Sequence, residues 1–125
     1  MPYRKIDTGI WADPWFEKLS PSGKLTFIFL WSNEHCLPGG IYKISTKRIR
    51  DNLGFTPNMD ELSEKVHYYS DKNIVWVTSF FRRQCQNQKF AQAAIDSLDG
   101  IPTNLQKDWR QFNSIVLKKY HIDTI

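Results

Sequence analysis

Cysteine is nearly missing from this sequence. Cys36 and Cys85 are the only two in 125 residues, and they form no Cys-x-x-Cys pair. Zinc needs several ligands at characteristic spacings, and His35–Cys36 side by side does not supply them, so no metal centre is expected. Two reduced, partly buried thiols is the reading that fits. Long apolar runs are also lacking: none approaches the roughly 20 residues of a membrane span. Met1 opens no charged-then-apolar leader, so a soluble, cytoplasmic chain with no membrane partner is expected. There is no internal repeat, no low-complexity tract, no phosphate-binding glycine loop and no dinucleotide fingerprint. His35, His67 and His121 stand in no catalytic spacing with Ser, Cys or carboxylate residues. Residues adjacent in a chain seldom point at each other, which disposes of His35–Cys36 as a reacting pair. Neither catalysis nor a cofactor is expected.

Charge of one sign is modest too. Seventeen basic residues against thirteen acidic ones leave +4, which permits a polyanionic partner without demanding one. What is plentiful is core material. Hydrophobic residues make up 41% and aromatic ones 14%, enough for one packed domain of this length. That domain is expected over residues 1–120, with 121–125 a tail or the start of a linker.

Local signals order the elements. In "LSPSGKLTFIFLWSNEH", Ser20 is an N-cap and Pro21 a first-turn proline. Leu25, Ile28, Phe29 and Ser32 share one face of the helix that follows, while Phe27, Leu30 and Trp31 fill most of the rest. A helix apolar almost all round belongs in the middle of a domain. "GIYKIS" reads as a short strand, Ile41 and Lys43 on one face and Tyr42 and Ile44 on the other. Ser45 caps a second helix that buries Ile49 and Leu53, and Gly54 suits its left-handed stop with Phe55 folding back. Thr56-Pro57 then supplies a fresh cap and first turn, so "ISTKRIRDNLGFTPN" spells helix, glycine turn, helix.

Two readings compete for the next segment. Met59, Leu62, Val66 and Tyr69 recur at helical spacing, so one helix could run from Pro57 to Ser70. Alternatively, Val66–Tyr69 and Ile74–Val77 are two strands around the polar turn "SDKN". The hairpin is favoured, because Ile74 to Val77 are strand-like and need a partner, and Trp76 would then pack on the helical core. A helix begins near Asn87, with Phe90, Ala94 and Leu98 on one face and a stop at Gly100–Pro102. Thr103 caps a last helix whose apolar stripe is Leu105, Trp109, Phe112 and Val116. The expected fold is mainly α with a small β-hairpin (α+β): a winged helix-turn-helix with two extra C-terminal helices.

The segments "IDTGIWADPWFEKLSPSGKLTFIFLWSN", "GGIYKIS", "IVWVTSFFRRQCQNQKF" and "SLDGIP" resemble the N-terminal domain of phage replisome organisers, the DnaD-like replication-initiation proteins of bacteria and their prophages. The resemblance implies a winged helix used for DNA or self-association, and a separate C-terminal part that engages helicase-loading proteins. This chain departs from that pattern: it ends at "KKYHIDTI", and its short third helix carries Asp60, Glu61 and Glu64.

The candidate DNA-binding residues follow. Lys43, Lys47, Arg48 and Arg50 would neutralise phosphates, although a basic helical run is as often a solvated face. Thr56 and Asn58 sit where a recognition helix presents side chains to bases, or else they cap it. Tyr68 and Lys72 would flank the wing tip, where tyrosines also serve as cross-strand packers. Arg82 and Arg83 form a second basic cluster. The expected partner is duplex DNA, held weakly and in a salt-dependent way. A transcriptional regulator of the same fold, or a self-association module without DNA binding, are the alternatives. The stripes Phe90, Ala93, Ala94, Leu98 and Trp109, Phe112, Val116 exceed what a small winged helix needs. They would fold back onto the first helix, or be covered in a homodimer.

Overall fold

A computed structural model of the chain describes residues 2–122; most of the tail expected at 121–125, Asp123 onward, lies outside the described residues. Aspartates organise the beginning. Asp7 caps a 3₁₀ turn, Thr8–Ala12, and Asp13 caps the single helical turn α1, Pro14–Glu17. Each lends one carboxylate oxygen to a backbone N–H two residues on, at 2.8 Å from Gly9 and 3.1 Å from Trp15.

Helix α2 spans Pro21–Ser32 and starts as expected, with Ser20 accepting the Gly23 N–H and Pro21 in the first turn. Its buried stripe is Gly23, Thr26, Phe27, Leu30 and Trp31. Leu25 is 50% exposed, and Ile28 and Phe29 are half-buried. The helix therefore lies against one core and is not enclosed by the domain, a correction to the expectation from its all-round apolarity.

Three short strands, β1 (Ile41–Lys43), β2 (Val66–Tyr69) and β3 (Ile74–Val77), form an antiparallel sheet in the order β1-β3-β2. The hairpin pairs Val66 with Val77 and Tyr69 with Ile74, and Asn73 takes the left-handed conformation, φ +54°, that closes its turn. The unbroken helix from Pro57 to Ser70 does not form. β1 pairs with the other edge of β3, Ile41 opposite Trp76 and Lys43 opposite Ile74. That makes β3 the central strand, buried at all four positions.

Because side chains alternate along a strand, the sheet divides the interior in two. Tyr42, Ile44, Val66, Val75 and Val77 join Phe16, Phe27, Leu30, Trp31, Ile49 and Phe80 in a first core. Ile41, Ile74 and Trp76 join Phe81, Ala91, Ala94, Leu98, Leu105, Trp109 and Leu117 in a second. Between the hairpin and the C-terminal helices lies α4, Phe80–Gln84, which carried no sequence signal. Its consecutive phenylalanines enter opposite cores, Phe80 the first and Phe81 the second.

The C-terminal helices are α5 (Gln88–Asp96), α6 (Thr103–Phe112) and α7 (Ser114–Lys119). Asn87 caps α5 through its side chain, 2.8 Å from the Phe90 N–H. Three expectations need correction. Thr103 is the first residue inside α6 and not its cap, a place held by Pro102 without any side-chain bond. The last helix is not continuous: it breaks at buried Asn113, whose Nδ2 turns back to donate to the Trp109 carbonyl at 3.0 Å. Finally, Ala94, Leu98 and Trp109 are buried against the second face of the sheet and not on α2, while Ala93 is exposed and Phe112 is 43% exposed. No helix among the described residues is long and apolar enough to cross a membrane.

Candidate nucleic-acid interface

Helix α3 spans Thr46–Leu53. Ser45 accepts the Arg48 N–H at 3.1 Å, and Gly54 ends the helix at φ +83°, its N–H reaching the Arg50 carbonyl at 2.8 Å. No atom lies within 4 Å of where a Gly54 side chain would start, so the glycine answers to backbone conformation alone. Ile49 is the one fully buried residue of the helix, and Lys47, Arg48 and Arg50 are exposed. Lys47 donates to Asp51 at 2.6 Å. That hydrogen bond, and more weakly the charges of Lys47, Arg50 and Arg48, hold the Asp51 carboxyl below its ordinary range. Arg48 and Arg50 stand in no ion pair among the described residues.

The helix expected after Gly54 is reduced to a 3₁₀ turn, Met59–Leu62. Thr56 caps nothing and is exposed; Asn58 is the cap, its Oδ1 accepting the Asp60 N–H at 3.2 Å. The turn is also engaged in a tertiary contact. Glu61 turns away to the start of α2, where its carboxylate accepts from the Ser20 backbone N–H and, at 2.9 Å, from the Ser20 hydroxyl. Gly23 makes room, since a Cβ there would lie 2.5 Å from the Glu61 carboxylate. An anion at a helix N-terminus complements both the free N–H groups and the helix dipole. One carboxylate of the acidic stretch is thus consumed in the scaffold, and no α-helix follows the glycine turn to read bases.

The hairpin is tied to α3. The Tyr68 hydroxyl bonds the Thr46 hydroxyl, and the Ile44 N–H reaches the Asn73 carbonyl at 2.8 Å, which sets the hairpin turn beside the start of α3. Tyr68 is half-buried on the first core and acts as a strut. Lys72, in the turn, donates to neighbouring Asp71 at 3.1 Å. So Lys47, Arg48, Arg50 and Lys72 belong to one connected unit.

Three candidates do not join it. Lys43 shares the opposite face of the sheet with Ile41 and Ile74, and its Nζ lies 3.8 Å from where a Gly100 side chain would begin. The Arg82 guanidinium sits 4.3 Å above the Phe112 ring. Arg83 approaches Asp7 at 3.7 Å. Two consecutive helical residues point about 100° apart, so the Arg82–Arg83 pair splits between two neighbourhoods.

No site residue was expected in the N-terminal segment. Gln84 holds the Lys5 backbone at two points, accepting its N–H at 3.0 Å and donating to its carbonyl at 2.6 Å, while the Trp31 indole donates to the same carbonyl at 2.7 Å. Arg4 donates to the Cys36 carbonyl at 2.7 Å. This strap closes one side of a cavity lined by Trp15, Trp31, Lys65 and Arg83. The Asp-x-Gly and Asp-Pro-Trp caps in "IDTGIWADPWF" were the available signal that this segment folds. The chain matches no family model, no curated protein and no solved structure.

Proposed function

We propose that the chain is a non-catalytic DNA-docking module of winged-helix type, of the replisome-organiser kind that acts in phage replication initiation in the cytoplasm. The observation that carries the reading is α3. It is anchored by buried Ile49 and half-buried Leu53, exposes Lys47, Arg48 and Arg50, and abuts a hairpin bearing Lys72. Among the described residues, the seven α-helices and the three-stranded antiparallel sheet are compatible with a winged-helix-like fold. With a 3₁₀ turn where a recognition helix would lie, the docking is to phosphates and indifferent to sequence. Duplex DNA is the partner, and helicase-loading proteins follow from the resemblance.

Fluorescence anisotropy with a random-sequence duplex tests it. The log–log salt slope should be about −0.9 for each phosphate neutralised, and K47Q/R48Q/R50Q should flatten it by up to that amount per site. Lys47 should contribute least, being paired with Asp51 already. A slope that the triple variant leaves unchanged would remove α3 from the interface.

A second reading, self-association without DNA, has Phe112 and Ile115 in its favour, 43% and 82% exposed on α6 and α7. Light scattering separates the two: a mass of one chain, unchanged on concentrating, excludes it.

A further inference from the structure

The strap and the first core border an open pocket of about 640 Å³, a size that suits a small ligand. Its floor is aromatic. Trp15 meets Phe27 edge-on with ring centres 5.0 Å apart, and Phe27 lies 5.7 Å from Trp31. Its rim is charged: Lys5, Lys65 and Arg83 face Asp7 and Asp13.

The carboxylates are partly spent. Each gives one oxygen to a helix cap, and the other stands 3.7 Å from Arg83 or Lys65, too far for a good hydrogen bond. Lys5 is in no ion pair among the described residues, although its backbone is held at three points. Three cations therefore surround two half-committed carboxylates at the mouth of an aromatic pocket. The ligand that uses both features is a planar aromatic group joined to an anion. An apolar peptide side chain would leave the surplus cation without a partner.

We infer that this pocket holds one unpaired nucleotide of single-stranded DNA, the base against half-buried Trp15 with buried Phe27 and Trp31 behind it, and its phosphate on Lys5 and Arg83. Aromatic faces bind bases irrespective of sequence, and cations track the backbone. The inference rests on the DNA-docking reading above but uses different residues. It also gives Arg83 a role away from α3.

Titrating the full chain with single-stranded oligothymidylate, while following tryptophan emission, tests it. Emission should be quenched, with thymidine monophosphate competing. Trp15→Leu should weaken binding roughly tenfold, within the range that loss of one stacked base implies. Should that variant fold poorly, Lys5→Gln decides the matter, because its side chain is exposed and the strap's bonds come from its backbone. It should weaken binding by about threefold and lower the salt slope. K47Q/R48Q/R50Q should keep the quench while losing duplex affinity, so the two readings fail separately. Quenching untouched by Lys5→Gln and not competed by the nucleotide places the strand elsewhere and overturns the inference. Quenching by a peptide with an aromatic end, and none by DNA, overturns it in favour of a protein partner.

Discussion

The two faces of the sheet are covered by different means. On the first, separate short segments are each fixed by a polar bond to backbone. The Tyr42 hydroxyl donates to the Leu30 carbonyl at 2.7 Å, Trp31 bonds the strap, and Glu61 caps α2. On the second, α5, α6 and α7 follow one another and cover the sheet by packing, Ala91 and Ala94 allowing close approach and Phe81 lying 4.9 Å from Trp109. There the long-range bond is from the Trp109 indole to the Gly39 carbonyl, 2.8 Å. The difference parallels the proposed use. Both proposed binding regions, the α3 unit and the strap cavity, border the first face, where polar ties position segments that packing alone would leave free. The second face would then serve as scaffold.

Removing the centre of the scaffold should have the largest effect. Trp109 is fully buried, and Trp109→Ala should cost about 3–5 kcal/mol, much of the stability of a small domain. Urea unfolding measures it. Combining it with Ile49→Ala breaks or sharpens the comparison, since independent faces give additive costs and faces coupled through β3 do not.

Alkali should act next, and on the first face. Burial pushes the Cys36 thiol from 9.0 up to about 12 and raises the Tyr42 phenol as well. Both stay protonated in the folded chain at a pH where the unfolded chain has ionised. Their contribution is complete below about pH 9 and is lost as pH rises toward 12, by roughly 1 kcal/mol per pH unit per group. The urea midpoint should hold to about pH 9 and then fall, less steeply in Tyr42→Phe. A flat midpoint to about pH 11 would mean that both groups meet water in the folded state.

The smallest effect isolates one tie. Gly23→Ala should destabilise by about 1–2 kcal/mol, because its methyl displaces the Glu61 carboxylate from the start of α2. In a Glu61→Ala background the same change should be neutral or stabilising, as alanine is the better helix former. Equal costs in both backgrounds would show that the carboxylate does not cap α2.

Elements with strong local chemistry were legible. Ser20-Pro21, the Ser45-to-Gly54 helix, the hairpin and the helix start near Asn87 all stand where the sequence puts them. What was hidden depends on partners remote in sequence. Nothing near Glu61 says that it will reach the start of α2 from the 3₁₀ turn that stands in place of the expected third helix. The α6–α7 break has no glycine or proline to announce it, only an asparagine that bonds its own helix. Helix α4 is five residues long, too short to show a period. In the site, the α3 basic run was visible because a cap and a stop frame it. Lys43 left the group because alternation along β1 sends it to the face that α3 does not cover.

The strand order also bears on how the chain assembles. Only the turn from Ser70 to Asn73 separates β2 from β3, whereas between β1 and β3 lie α3, the 3₁₀ turn and β2. Closing a short turn takes microseconds, and the longer excursion costs more chain entropy. The hairpin is therefore expected first, leaving β3 with a bare edge. When β1 docks it brings Tyr42 to one side and Ile41 to the other in a single event. Three residues thereby set a common clock for two interiors that also share β2, β3 and α4.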